Sequence, residues 1–255
     1  IGRRPVAEIA PDEIIAVLEP IWRTKPETAS RVLQRMRTIF DVAIVRQVRT
    51  TANPCTGITT VLGPIQKDVR HHRAVPWQDV HRFLCDLRAG SARPATRLCL
   101  EWVILTACRS GEARGATWAE IDLGGRLWTI PAQRMKAGRA HRVPLSGAAL
   151  AVLGQSRRMW PNAGLIFPAP RGGELSDNTL SKLMRDMGEE GTPHGFRTAF
   201  RTWAAESGVP DRVAEAALAH ADPNKVQAAY QRSDFLDERS GLMEAWARLV
   251  NGQAV

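Results

Sequence analysis

Tyr230 is the only tyrosine in 255 residues, flanked by Ala228, Ala229, Gln231 and Arg232. A lone tyrosine is by default a core side chain with a satisfied hydroxyl, so its meaning depends on what accompanies it. His194 and Arg197 are three apart, a spacing that on one helix turns both side chains the same way, toward a common ligand or toward solvent. Arg109 follows an apolar stretch and precedes Ser110, Gly111 and Glu112. That sets a guanidinium beside a carboxylate, which forms either a structural ion pair or a place to hold an anion. Lys136 falls in a Lys-Ala-Gly-Arg turn and His220 follows an alanine-rich run; singly, one is an exposed lysine and the other a capping or surface histidine.

The elements that must position these residues follow from periodicity. From Thr28, the residues Ala29, Val32, Leu33, Met36, Ile39, Phe40, Ala43 and Ile44 recur at i, i+3, i+4 and i+7, predicting a helix with all eight on one face. Arg31, Arg35, Arg46 and Arg49 fall off that stripe onto a basic face, either simply solvated or in contact with a polyanion. Asn53-Pro54 and Thr56-Gly57 are expected to end the helix. Beyond Pro76, Val80, Phe83, Leu84 and Leu87 predict a helix closed by Gly90, and a further apolar helix is expected over 95–108. Segments 127–130 and 141–145 are short β-like runs around Lys136 and Arg139, predicting a hairpin with a basic tip. Thr192-Pro193 is expected to start a helix that uses Phe196, Phe200, Trp203 and Ala204 and ends at Gly208. Asp222-Pro223 repeats that start signal before 226–232. A last amphipathic helix uses Leu236, Leu242, Met243, Trp246 and Leu249, with Gly241 its weak point.

Hydrophobic residues make up 44% and charged residues 24%, while Gly and Pro number 20 and 16, which excludes collagen-like, coiled-coil and disordered chains. Lys and Arg exceed Asp and Glu by 35 to 26, a net charge of +9, favouring nucleic acid or an acidic membrane surface as partner. No basic amphipathic segment with interfacial aromatics supports the membrane. The longest apolar run, 98–108, is broken by Glu101 and far short of the roughly 20 residues a bilayer span needs. The opening Ile1-Gly2-Arg3-Arg4, with neither Met nor apolar leader, reads as a fragment of something longer. Cys55, Cys85, Cys99 and Cys108 show no C-x-x-C spacing, so a reducing cytoplasm is the expected setting.

Taken in order, Thr106-Ala107-Cys108-Arg109-Ser110-Gly111-Glu112, Lys136 on its hairpin, His194-Gly195-Phe196-Arg197, Leu218-Ala219-His220 and Ala229-Tyr230 resemble the motifs of the tyrosine recombinase, or phage integrase, family. The resemblance spans essentially the whole chain. The run from Ala228 through Arg239 looks like the subclass carried by prophages and integrative islands, and Thr28-Ala29-Ser30-Arg31 with Asn53-Pro54 resembles that subclass's core-binding domain. Two departures stand out. Family members often have Gly where this chain has Ala107 and Ala219, and compact members place the last His one residue nearer the Tyr.

The resemblance implies a mainly α fold with a small antiparallel β-sheet: part of a helical core-binding domain over 1–63, a linker over 64–73 and a catalytic domain over 74–255. It implies attack of the Tyr230 hydroxyl on a DNA phosphodiester, giving a 3′-phosphotyrosyl bond and a free 5′-hydroxyl. A phenol, with an ordinary pKa near 10, needs help losing its proton. The same resemblance gives that help to His194 and a hydrogen-bond donor role toward the phosphate to His220, two roles the sequence leaves interchangeable, with the phosphate clamp at Arg109 and Arg197, the general acid at Lys136 and a supporting role for Glu112. It implies neither metal nor nucleotide cofactor. Partners would be double-stranded attachment or core sites, contacted also through Arg31, Arg35, Arg46, Arg49 and Arg139, with a homotetramer on DNA, accessory DNA-bending proteins and no membrane. A type IB topoisomerase relative that reseals the same strand, or a DNA-binding module without catalysis, are the alternative readings.

Overall fold

The computed structural model describes residues 1–65, 74–220 and 234–253. Most of the expected linker, the Asp222-Pro223 start signal with the segment after it, and Tyr230 lie outside the described residues. The chain divides into two units, Ile1–His71 and His72–Val255.

In the first unit, Pro11–Trp22 forms α1, an element that the periodicity beginning at Thr28 did not reveal. Its start is marked by Pro11 at the first helical position and by Glu13, whose Oε2 accepts the Ala10 N–H at 3.0 Å. Ile14, Leu18 and Trp22, spaced by four, are buried against Ala29, Leu33 and Phe40 of α2, Pro26–Val45. Cys55 and Ile58, the latter opening the short α3 (Ile58–Leu62), complete this core.

Two expectations for α2 are corrected. Ile39 is 59% exposed rather than packed. The helix also ends at Val45, not near Asn53: Gln47 takes a left-handed φ of +55° and the Val48 N–H turns back to the Ala43 carbonyl at 2.9 Å. Asn53 then docks against α2 through Nδ2, donating to the Arg37 carbonyl and to Asp41.

The second unit is built around α5, Pro94–Thr106, whose residues Leu98 to Thr106 are all buried. A helix apolar on every side must sit inside the fold, and here it is surrounded by α4 (Val80–Ala89), α7 (Gly147–Met159), α8 (Thr179–Asp186), α9 (Gly195–Glu206) and the C-terminal helix α11 (Leu236–Val250). The one charge on the buried run, Glu101, is satisfied by Arg88 of α4, which donates from Nε and Nη2 to Oε1 at 2.9 and 2.5 Å. Aromatic pairs knit the layers, with Trp102 5.3 Å from Trp128 and Trp203 5.2 Å from Trp246 between ring centres. Trp246 Nε1 donates to the Ile104 carbonyl at 2.8 Å, so α11 is tied directly to the central helix.

On one side lies a three-stranded antiparallel sheet, β1 (Ile121–Asp122), β2 (Leu127–Ile130) and β3 (His141–Pro144), in that order. The expected hairpin is β2–β3, with Trp128 opposite Val143 and Ile130 opposite His141. The mainly α class with a small antiparallel sheet is therefore the fold. The α9 start differs from expectation: Thr192-Pro193 lies before the helix, which begins at Gly195, and Thr192 Oγ1 is buried without capping it. Between α9 and α11, α10 spans Asp211–Ala217. Among the described residues no helix is long and apolar enough to cross a membrane.

Candidate active site

α5 stops at Thr106 because Ala107 turns left-handed, at φ +49°. The chain then runs extended through Arg109 into α6, Ser110–Arg114. Glu112, buried one turn into α6, reaches back to that start. Its Oε2 accepts the Arg109 N–H and its Oε1 accepts Arg109 Nη1, both at 2.8 Å. The expected ion pair thus has a geometric purpose, fixing backbone and guanidinium together while Arg109 stays partly open to solvent.

Arg197, on the first turn of α9, is only 3% exposed. It donates from Nη1 to the Ala107 carbonyl and from Nη2 to the Leu218 carbonyl, each at 2.6 Å. One planar guanidinium therefore bridges the end of α5 and the end of α10. Burial first, then the like charge of Arg109, pull the Arg197 pKa below the usual arginine value, while Glu112 opposes the shift. Its Nε has no partner among the described residues.

His220 reaches this cluster through a helix terminus of defined geometry. Ala219, at φ +50°, closes α10 with its N–H on the Ala216 carbonyl, and the His220 N–H turns back to the Glu215 carbonyl at 3.0 Å. His220 Nε2 then lies 3.1 Å from Arg197 Nη2, and Nδ1 lies 2.6 Å from Glu215 Oε2. A guanidinium can only donate, so Nε2 is the accepting nitrogen and Nδ1 carries the hydrogen toward the carboxylate; the donor role expected of His220 toward a phosphate therefore requires a second proton on the ring. Arg201 Nε holds the other carboxylate oxygen at 2.6 Å. Burial pushes the Glu215 pKa up, but the hydrogen bonds from Arg201 and His220 outweigh it and leave Glu215 below the ordinary carboxylate range.

Lys136 is exposed in the connection between β2 and β3, beside buried Met135. That connection is anchored by Arg134, which donates to the Glu112 carbonyl and to the Glu120 carboxylate. His194 is exposed immediately before α9, its carbonyl accepting the Arg197 N–H at 3.0 Å. Arg109, Glu112, Arg197 and His220 are thus joined through α5, α6, α9 and α10. Lys136 shares Glu112's neighbourhood through Arg134, and Tyr230 is outside the described residues. Beside Arg109, burial and then the Glu112 charge push the Cys108 thiol up to about 12, so this neighbour stays protonated and is a poor nucleophile.

Several participants were not singled out by sequence. Glu215 lies five residues before His220, a pairing created by the left-handed Ala219. Arg239 of α11 is 1% exposed and donates to the Ala216 and Arg142 carbonyls, joining α10 to β3. His141 of β3, with Nε2 3.3 Å from the Ala217 carbonyl, makes a second link between the same two elements. Burial, followed by the Arg239 charge, lowers the His141 pKa to about 4. Buried Arg239 follows the apolar pattern of α11 so closely that only its polarity could have flagged it.

Of the arginines grouped on the basic α2 face, Arg31, Arg35 and Arg46 are exposed, as is Arg139 near the hairpin tip. Arg31 pairs with Glu27 at 2.9 Å. Arg49 is corrected. It is 5% exposed and donates to the carbonyls of Val6, Ala7, Ile9 and Ala52, because the turn at Gln47 directs it inward. Among the described residues no group of three His, Cys, Asp or Glu side chains could hold a metal ion.

The second unit thus brings two arginines, a glutamate and an imidazole together where α5 and α10 end. Residues 76–236 match the model of the phage integrase family, and residues 1–59 match that of the phage integrase central domain. The chain is 33% identical to prophage integrase IntA of Escherichia coli strain K12, covering 98% of this chain and 61% of that one. It is 32% identical to the integrase of enterobacteria phage P4, over 97% and 60%. Among solved structures, it is similar to a lambda integrase dimer bound to a COC′ core site, with a TM-score of 0.64 at 20% identity, covering 88% of this chain and 83% of that one. The integrase of mycobacterium phage Brujita aligns with a TM-score of 0.56 at 20% identity, over 98% and 85%. The chain belongs to the phage integrase family, and it spans about three fifths of the length of these curated relatives.

Proposed function

We propose that the chain is the catalytic and core-binding part of a site-specific DNA recombinase that integrates or excises a prophage or genomic island. The observation that carries this reading is the Arg109, Glu112, Arg197 and His220 cluster, in which Arg197 bridges the two helix ends beside the other arginine and the imidazole. Rigid guanidinium groups on separate elements suit the non-bridging oxygens of a phosphate whose charge rises in a pentacoordinate transition state.

In this reading the Tyr230 oxygen attacks phosphorus as His194 takes the phenolic proton. The bond from phosphorus to the 5′ oxygen breaks, and Lys136 donates the proton that oxygen needs. The product is a 3′-phosphotyrosyl bond and a 5′-hydroxyl, and a 5′-hydroxyl from another strand reverses the step. Residues 1–63 would supply core-site contacts through Arg31, Arg35 and Arg46, followed by a linker over 64–73 and the catalytic domain over 74–255, with Arg139 contributing near the hairpin tip. Lambda integrase has been solved as a dimer on a core site and as a tetramer on a Holliday junction, which supports duplex DNA as partner and a tetramer as the working assembly. Accessory DNA-bending proteins and action at the nucleoid in the bacterial cytoplasm belong to the same proposal.

The test is covalent trapping on a suicide duplex carrying the cognate core site, comparing the chain with Tyr230→Phe on a denaturing gel. A protein–DNA band lost in Tyr230→Phe supports the reading, and strand exchange between two labelled duplexes supports recombination. Resealing without exchange would point to a topoisomerase-like enzyme. DNA binding with no covalent band, in the full-length protein as well, would leave only a binding module.

A further inference from the structure

At the C-terminus of α10 the left-handed Ala219 brings two side chains together. In a helix end of this type the residue three positions inside the helix and the one just beyond the turn are commonly both apolar and pack on each other. Here those positions are Glu215 and His220, and they meet as carboxylate and imidazole, with Nδ1 2.6 Å from Oε2. The carboxylate is itself held. Arg201 Nε donates to Oε1 at 2.6 Å, and Arg201 Nη2 is fixed by Asp211 at 2.8 Å, so Oε2 is the oxygen left to face the ring. On the ring's other side, Nε2 accepts from Arg197 Nη2, the guanidinium that also binds the Ala107 and Leu218 carbonyls. A histidine bonded through one nitrogen to a fixed carboxylate has both its tautomer and its ring plane set by that bond.

We propose that Glu215 is a positioning residue of this active site: through its bond to Nδ1 it fixes the ring plane of His220 and keeps Nε2 directed at the Arg197 side of the phosphate site. Arg201 and Asp211 extend this support outward to the start of α10. Glu215 touches neither nucleophile nor phosphate. Its influence passes through the imidazole, as a carboxylate orients the histidine in a hydrolytic triad. The tautomer is a property of the protein alone, whereas its catalytic consequence rests on the phosphoryl-transfer reading above.

The experiment has two readouts on the same variants. In the chain labelled with 15N-histidine, and with the His220 signals identified by their loss in His220→Gln, the wild type should show Nδ1 protonated and Nε2 bare. Glu215→Gln, which keeps an acceptor, should retain that pattern. Glu215→Leu, which frees the ring to turn away from Arg197, should replace that single pattern by averaged Nδ1 and Nε2 signals from mixed tautomers. A wild-type hydrogen on Nε2, or no change in Glu215→Leu, overturns the proposal whether or not the protein cleaves DNA. On the suicide duplex at saturating protein, Glu215→Leu should slow covalent-adduct formation about 10-fold to 100-fold, with Glu215→Gln near wild type. The gel-shift Kd should be the same in all. Equal rates for wild type and Glu215→Leu would remove the positioning role. An inactive wild type that nonetheless shows the expected tautomer shift would instead count against the recombinase reading.

Discussion

His141 should make the second unit acid-sensitive in a defined window. The ring is half-buried on β3 with Nε2 donating to the Ala217 carbonyl, so it joins the strand after the Lys136 connection to the helix leading to His220. Burial and the Arg239 charge hold its pKa at about 4, against an ordinary 6.5. Between those values the unfolded chain binds a proton at this ring and the folded chain does not, so stability falls as pH drops from 6.5 toward 4 and is fully present above 6.5. At about 1.4 kcal/mol per pH unit, the gap amounts to about 3 kcal/mol. His141→Gln keeps a donor for the Ala217 carbonyl but cannot titrate. Urea unfolding followed by tryptophan fluorescence suits the measurement, because Trp22 alone of the eight tryptophans lies in the first unit. Carboxylates common to both proteins cancel in the comparison. The wild type should lose about 3 kcal/mol more than His141→Gln between pH 7 and pH 4. Parallel pH dependences in the two proteins would refute the reasoning, and so would a wild type that gained stability on acidification relative to the variant.

Arg49→Met should destabilise the first unit by about 3 kcal/mol, since it deprives several buried carbonyls of a charged donor, as thermal melting of the unit would show. Arg35→Ala should instead leave stability within about 0.5 kcal/mol and reduce the slope of log affinity for core-site DNA against log salt by about one. Arg197→Lys cannot span the Ala107 and Leu218 carbonyls with one ammonium. It should lower adduct formation by at least about 100-fold on the suicide duplex, and an effect below tenfold would remove the clamp role. Lys136→Ala should slow cleavage by about 100-fold to 10,000-fold and recover on a duplex whose bridging 5′ oxygen is sulfur, a leaving atom that needs no proton.

What the sequence disclosed and what it concealed divide along a physical line. Val80, Phe83, Leu84 and Leu87 announce α4 because one helical face must be apolar, and 127–130 with 141–145 announce a hairpin because β-like runs flank a glycine-containing turn. The Arg109 and Glu112 pair is local, three residues apart. By contrast, α2 ends through Gln47 and α10 through Ala219, non-glycine residues in left-handed conformations that no composition rule marks. Every consequence of those turns was hidden with them, including the inward path of Arg49 and the meeting of Glu215 with His220. Three of the four carbonyls that Arg49 donates to lie some forty residues away, and those that satisfy Arg197 belong to two other elements. Only the fold can supply such partners. α1 is a different case: Pro11, Asp12, Glu13 and the spacing of Ile14, Leu18 and Trp22 were sufficient to find it.

The two left-handed alanines at the mouth of the site make sequence drift there almost silent. Replacing Ala107 or Ala219 by Gly would relieve about 1–2 kcal/mol of backbone strain. It would also free the unfolded chain by about 0.4–1 kcal/mol, and at buried Ala107 it would forfeit about 0.8 kcal/mol of methyl burial. At Ala107 gain and loss nearly cancel, while at Ala219 the change to glycine is favourable by about 0–1.6 kcal/mol. What the site uses at both positions is a carbonyl or N–H aimed by the turn, which either residue supplies. Stability therefore does not oppose glycine at either position, while Arg197, one helix away and held by two carbonyls, has no such freedom.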